Sequence, residues 1–570
     1  MAFSISPGVT VSEVDLTTVI PSVLTTAGAF AGAFNWGPAN KRIQISSESQ
    51  LFSIFTKPDS NTYISYYTAA SFLAYGNNLR VVRTVGANSF NADANTSSTI
   101  QIKNEDDFQY SYLSGNNANV AGPFVARYPG VLGNSLTVGV LDSCPTANFT
   151  GWQVNSINVS SYFAGAPGTS AQANTAGSAN DELHVIVLDT NGLFTGVKNQ
   201  VLEVFPYLSK ASDAKDTLGN SNYYKNYIFN NSKYVYAMDP ISYAVTNSTW
   251  GLPLSNGTTF ATIGTGTTVQ LSGGADDMPS TSNLQTSYDL YKNADEVDVS
   301  LIITGDANTT LQGYVRDIAE SRKDCITFIS PPSSNVVNQA GNETTKLATW
   351  ASGITASTYV VADCGWKYMF DKYNNVYRWI PLNGDIAGLC VNTDSVRDPW
   401  FSPAGFNRGA LKNVVKLAWN PTKAQRDTIY ALGINPVGTF PGQGTVLFGD
   451  KTFTTKPSAF DRINVRRLFI VLEKTIAQAS KYSLFEFNDE FTRSQFVALV
   501  TPFLRDIQGR RGIYDFRVVC DTTNNTPQVI DSNQFVGDIY VKPARSINFI
   551  QLNFVAVRTG VNFSEIVGQF

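Results

Sequence analysis

The stretch Val297-Asp298-Val299-Ser300-Leu301-Ile302-Ile303 reads as a strand, and what surrounds it decides the fold. Downstream, the spacing predicts a helix over about 310–322. The strand Cys325-Ile326-Thr327-Phe328-Ile329 then stops at Pro331-Pro332, and a helix over about 344–356 and the strand Tyr359-Val360-Val361-Ala362-Asp363 follow. Upstream, the same rhythm runs through the small-residue strand Thr25-Thr26-Ala27-Gly28-Ala29-Phe30-Ala31-Gly32, helices at 47–55 and 63–75, and the strand Leu79-Arg80-Val81-Val82-Arg83-Thr84-Val85. Between these flanks the composition turns to Asn, Ser, Thr, Gly and Tyr in short alternating segments, including Ser135-Leu136-Thr137-Val138-Gly139-Val140 and Leu183-His184-Val185-Ile186-Val187-Leu188. A βαβ rhythm interrupted by a β-rich stretch predicts one discontinuous domain whose two flanks fold together.

The expected fold class is α+β and multidomain. A discontinuous α/β core (22–85 and 297–400) carries a β-rich outer insertion (86–296) of two domains, with about 97–190 outermost. A separate C-terminal α+β domain (401–570) follows. Within the insertion, residues 165–180 are nearly all small and polar and read as a loop at an exposed tip. The C-terminal part contains two amphipathic helices, about 462–482 and 489–508, between β segments. At 570 residues, with 35 Phe, 26 Tyr and 8 Trp, the chain exceeds what one core can hold and has large apolar area to bury.

Both ends read as strands without a local partner. In residues 1–21, Pro7-Gly8 marks a turn and Val9, Val11 and Val14 alternate with polar residues until Pro21. At the other end, alternation runs over eleven residues from Ile547 to Val557, through Phe549, Leu552 and Phe554, too long to leave as an open edge. The alternatives are an arm folded back into its own chain and a terminal strand inside its own core.

Charge is sparse at 15%, with a net of −4. It is uneven: residues 401–570 carry +7 and residues 1–400 carry −11. A basic C-terminal part suggests an anionic partner; solvated faces are the plain alternative. The excess is too spread out to imply phosphate, so nucleic acid is not expected as a partner.

Catalysis is not expected either. The one histidine, His184, sits in an apolar strand, which removes His-based triads and His-rich metal sites. The Gly-rich stretch 438–449 lacks the spacing of a phosphate-binding loop and reads as a turn, and Asp276-Asp277 and Glu105-Asp106-Asp107 lack the spacing of a calcium loop and read as exposed loops. Five dispersed cysteines, odd in number, suit buried free thiols rather than disulfides or zinc. No catalytic residue, cofactor or metal is expected. No run of 18 apolar residues occurs and the N-terminus lacks a signal-peptide pattern, so manufacture in a cytoplasm without membrane insertion is expected.

Several segments then resemble one family. The opening Ser6-Pro7-Gly8-Val9-Thr10-Val11-Ser12-Glu13-Val14-Asp15 is similar to the start of contractile tail sheath proteins. Also similar are Arg322-Lys323-Asp324-Cys325 with its following strand, Ala418-Trp419-Asn420-Pro421-Thr422, and Asn464-Val465-Arg466-Arg467-Leu468. The same holds for Phe485-Glu486-Phe487-Asn488-Asp489-Glu490, Cys520-Asp521-Thr522-Thr523-Asn524-Asn525 and Ile539-Tyr540-Val541-Lys542-Pro543-Ala544. The resemblance implies a structural subunit of the virion, assembled in the host cytoplasm into stacked hexameric rings around a tail tube protein, with baseplate and tail terminator proteins as further partners. It implies that the C-terminal domain is the inner one and is completed by strands exchanged between subunits through Val9, Val11, Val14, Phe549, Leu552, Phe554 and Val557, with Lys474, Lys481, Arg505, Arg510 and Arg511 as tube-facing candidates. It also implies that the polymer contracts to drive the tube through the host envelope. A sheath of a non-phage contractile injection particle is the alternative with the same physics; a β-rich carbohydrate-binding or adhesive protein is the alternative from another class.

Overall fold

The computed structural model describes residues 23–94, 99–113, 122–241, 249–548 and 550–552. The described chain divides into two compact units, one holding 23–399 and 403–475, the other 400–402 and 476 onward.

The first unit is organised by a seven-stranded sheet. Its strands lie in the order Ile434–Asn435, Val360–Asp363, Ile326–Ile329, Leu301–Ile303, Gly28–Gly32, Leu79–Arg83 and Arg42–Ile45. All neighbours are parallel except the last pair. Strands from both sides of the insertion therefore meet at the centre, with Gly28 opposite both Leu301 and Leu79. The small residues of the first strand have a packing cause. A Cβ on Gly28 would sit 2.6 Å from the Phe72 ring and one on Gly32 would sit 2.7 Å from the Ser65 hydroxyl, because the helix Tyr63–Leu73 lies directly on the strand. Helices cover the sheet as parallel strands require. Thr309–Arg322 is capped by Asn308, whose side chain accepts from Leu311 N at 2.9 Å, and buries Leu311, Val315, Ile318 and Ala319 on one stripe. Tyr288 and Tyr291 are fully buried, and their hydroxyls donate to Ile303 O (2.7 Å) and Arg80 O (2.8 Å). These two phenols tie the chain leaving the insertion back onto the central strands.

Residues 86–296 build an antiparallel four-stranded sheet in the order Thr267–Gln270, Leu136–Asp142, Glu182–Asp189, Gln200–Ser209. At the junction with the core, the fully buried Arg83 donates to the carbonyls of Phe34, Asn35, Gly37 and Pro129. Four carbonyls stand in for water around the guanidinium, as a buried cation requires.

Three expectations need correction. The sheet of the insertion crosses residue 190, since Glu182–Asp189 pairs with Gln200–Ser209, so no domain closes there. Residues 165–180 are not a bare loop: Ser170 caps a short helix, Ala171–Ala176, and is itself held by both carboxylate oxygens of Asp181 at 2.8 Å. The boundary at 401 moves to 475/476, because Ile434–Asn435 supplies the outer strand of the core sheet. The cysteines are free thiols; all are buried except Cys144, which is half-buried. No helix among the described residues is long and apolar enough to cross a membrane.

The core also holds a carboxyl group that titrates near neutrality. Asp363 is buried at the end of its strand, accepting from the Ser330 hydroxyl (2.6 Å) and Gly365 N (3.0 Å), and burial pushes its pKa up to about 8. The folded state thus holds a proton that the unfolded chain, with a pKa near ~3.9, has released at neutral pH. The group's contribution to stability is full below about pH 4 and is lost as pH rises toward 8. Asp363→Asn, which keeps an oxygen for Gly365 N and turns an amide N–H toward the Ser330 oxygen without the charge, is expected to melt like the parent at pH 4–5 and to be more stable by roughly 1–3 kcal/mol at pH 9. A pH series of thermal melts checks it; a constant gap between the two proteins would contradict it.

Candidate assembly surface

The second unit is built on one helix and a ribbon. The helix Glu490–Gly509 starts at Asp489, whose side chain accepts from Thr492 N at 2.8 Å, and buries Phe496, Val500, Leu504 and Ile507. After a tight bend at Gly512, where a Cβ would meet Ile507 at 2.5 Å and the Trp400 ring at 3.2 Å, the strand Ile513–Val519 runs along the helix. It pairs antiparallel with Asp538–Pro543, from Ile513↔Pro543 to Val519↔Asp538. The connection is fastened by Asn525, which exchanges both amide hydrogen bonds with Val536 (2.9 and 2.7 Å), and by Asn488, which donates to Gln534 O at 2.7 Å. These two asparagines belong to the segments Phe485–Glu490 and Cys520–Asn525 quoted above, and holding this connection is their structural work.

Two strands make an incomplete sheet. Of the ribbon's residues only Ile513 is buried, and among the described residues no third strand pairs with either edge. A two-stranded ribbon is marginal by itself, and its outer edges present backbone donors and acceptors ready for another strand. The linker before the helix and the helix's first turn add exposed apolar area: Tyr482, Leu484, Phe485, Phe487 and Phe491 all face solvent. Single exposed apolar residues are ordinary, but five within ten positions make a candidate contact surface. Sequence reasoning quoted this segment without assigning its aromatics, because a linker has no periodicity to read.

Of the residues expected in strand exchange, Val9, Val11, Val14, Phe549, Phe554 and Val557 lie outside the described residues. Leu552 is described, is 70% exposed and belongs to no strand. The described residues 544–548 and 550–552 form no strand within their own chain, although the alternation from Ile547 onward predicts one. Of the basic candidates, Arg505, Arg510 and Arg511 gather at the C-terminal end of the helix Glu490–Gly509 and are exposed, as is Lys481. Arg510 pairs with Asp506 at 3.5 Å and lies 5.1 Å over the Trp400 ring. Cations at this end also suit the negative pole of the helix. Lys474 differs: its side chain is only 14% exposed and its ammonium is directed inward to Asp298, Ser300 Oγ and Leu24 O, so it does not belong with the surface cations.

His184 is committed to packing. Its Nε2 bonds Gly165 O at 2.8 Å, its Nδ1 accepts from Tyr207 N at 3.0 Å, and its ring stacks on Phe163 with centroids 4.3 Å apart. Burial holds its pKa below the usual imidazole range. Asp276 and Glu105 likewise act within the fold. Asp276 accepts from Val131 N at 3.1 Å, and Glu105 accepts from the Tyr128 hydroxyl at 2.6 Å.

Comparison with known proteins gives this surface its context. Residues 289–453 match the family described as phage tail sheath protein central domain, and residues 455–556 match the phage tail sheath C-terminal domain. The tail sheath protein of Vibrio phage KVP40 is 34% identical over 99% of this chain and 100% of its own length. The chain belongs to the phage tail sheath protein family. The tail sheath protein of Enterobacteria phage T4 is 33% identical, with 99% of each chain covered. Among solved structures, a sheath tail protein from Listeria innocua matches with a TM-score of 0.52 at 12% identity, covering 92% of this chain and 96% of its own. One from Desulfitobacterium hafniense matches with a TM-score of 0.50 at 12% identity, over 90% and 94% of the two chains. The likeness in fold thus extends over about nine-tenths of the chain.

Proposed function

We propose that this sheath subunit polymerises as stacked hexameric rings around a tail tube, on a baseplate and beneath a terminator, and shortens to drive the tube through a host envelope. Its place is then the virion, after assembly in the host cytoplasm. The observation that carries the reading is the open two-stranded ribbon in a chain related along its whole length to phage tail sheath proteins. Strands supplied by neighbours complete it: the arm 1–21, seated by Val9, Val11 and Val14, and the terminal strand, seated by Phe549, Leu552, Phe554 and Val557. Main-chain bonding of this kind joins subunits through short extended segments, so the rigid bodies can rotate while the links hold. The exposed linker aromatics are buried against a neighbouring copy in the same assembly. Lys481, Arg505, Arg510 and Arg511 face the tube.

Shortening draws on the assembly itself. The long polymer is the metastable state and the short one buries more surface between subunits, so a trigger at the baseplate releases a downhill transition. Electron microscopy of the purified full-length protein tests the proposal. Hollow cylinders, in a long and a short form, are the expected result. A monodisperse monomer at high concentration that binds glycans would contradict it.

A further inference from the structure

Residues 23–27 lead from the arm into the first core strand, and side chains from three distant segments converge on them. The Leu24 carbonyl accepts from the Ser300 hydroxyl at 2.8 Å and from the Lys474 ammonium at 3.4 Å. A carbonyl has two lone pairs, so side chains occupy both and none is left for a strand partner. Lys474 directs its other hydrogens to Asp298 and to Ser300 Oγ (3.2 Å). One residue on, the Thr25 hydroxyl donates to Asp394 Oδ2 at 2.6 Å. Asp394 is in turn gripped bidentately by Arg467, at 2.8 and 2.7 Å, in an ion pair that is almost fully buried. Arg467 and Lys474 are seven residues apart on the helix Ile463–Ser480, hence on one face two turns apart. Pairing with the sheet begins only at Ala27, whose carbonyl accepts from Ser300 N (2.9 Å) and Leu301 N (3.1 Å). Beside the segment lies a shallow cleft of about 10 Å³ lined by Val23, Leu24, Ile470 and Val471. Polar side chains thus hold this backbone ahead of the first ladder.

We infer that Leu24 and Thr25 are the anchor of the N-terminal arm, held by a two-point clamp of Lys474–Ser300 and Arg467–Asp394. Force on a donated arm is delivered to the core at these two residues, ahead of the first laddered strand. Lys474 and Arg467 are positioning residues: they act by fixing where the arm leaves its subunit. The inference rests on the strand-donation reading, and its test separates the two.

The test uses the full-length protein with Ser300→Ala/Lys474→Met, which removes both donors to Leu24, and separately Thr25→Val, which leaves the buried Arg467–Asp394 pair intact. Amide hydrogen exchange at residues 24–27 is expected to rise roughly tenfold in each, the scale of one lost hydrogen bond to a charged group. Exchange elsewhere in the core sheet should stay as in the parent, and cylinders should form only at roughly tenfold higher protein concentration. Thr25→Ser, which keeps the hydroxyl, should behave as the parent. Unchanged exchange at 24–27, or faster exchange with assembly at the parent's concentration, overturns the clamp. Deletion of residues 1–16, run in parallel, reads strand donation separately, because it leaves 24–27 and their partners in place.

Discussion

Deleting residues 1–16 is expected to leave a folded monomer that forms no cylinders at any accessible concentration. Among the described residues, the first strand of the core sheet is Gly28–Gly32, and the backbone ahead of it is held at Leu24 and Thr25 by residues of the core itself. What is lost is the donated strand. Some three to five main-chain hydrogen bonds, at about 0.5–1.5 kcal/mol each, amount to roughly 3–5 kcal/mol per junction, a factor of a hundred or more in association. Every subunit carries the deletion, so the loss repeats at each junction of the polymer. Thermal melts should be superimposable on the parent's while electron micrographs show no cylinders. A synthetic peptide of residues 1–21 added in excess should block assembly of the parent protein by occupying the acceptor edge. Cylinders from the deleted protein would contradict strand donation by the arm.

Lys210→Met is expected to produce the largest loss of stability, about 3–5 kcal/mol, within the insertion. Lys210 and Asp142 are both 0% exposed and their charges lie 2.9 Å apart. The ammonium uses its other two hydrogens on Asn180 O (2.9 Å) and Ala261 O (3.1 Å) and sits 5.0 Å over the Trp250 ring. Asp142 also accepts from the backbone of Ile263 and Gly264. One buried pair thereby pins three segments to the end of the four-stranded sheet. Removing the cation strands a carboxylate in an apolar interior, and the penalty comes from that charge more than from the bond. Asp142→Asn added to Lys210→Met removes the charge while keeping an oxygen for one of the two amides, which donate to different carboxylate oxygens, so it should recover part of the loss. Urea or thermal melts of the single and double variants check this. Equal stability of the two would show that the stranded charge is not the cause.

The core was legible because its elements are periodic and end in recognisable caps and turns. Helix 47–55 is Glu48–Phe55 with Ser47 as its cap, and the strand at 79–85 is Leu79–Arg83. Helix 489–508 is Glu490–Gly509 behind the cap Asp489. Elsewhere the pattern reported burial instead of pairing. Val297 and Val299 alternate as in a strand and are buried, yet the ladder starts only at Leu301, because the chain is still turning in from Tyr291. The outer strand Ile434–Asn435 is two residues long and too short to carry a pattern, which hid the continuation of the core past 401. Small polar residues at 165–180 looked unstructured because their order comes from hydrogen bonds to Asp181 and Glu182, which no hydrophobic count registers. The candidate assembly surface was not legible: the ends read as strands but lie almost wholly outside the described residues, and the ribbon, which pairs with no third strand among the described residues, shows its edges only in space.

The central claim is that each subunit completes its neighbours' sheets with its own two ends. A cryo-electron microscopy reconstruction of the assembled cylinder, at a resolution that traces the backbone, tests it most directly. The expected map shows residues 1–21 and the segment through Phe549, Phe554 and Val557 hydrogen-bonded along the edges of Ile513–Val519 and Asp538–Pro543 of adjacent subunits. A map in which both ends pair only within their own subunit, leaving the ribbon two-stranded in the polymer, would contradict the account.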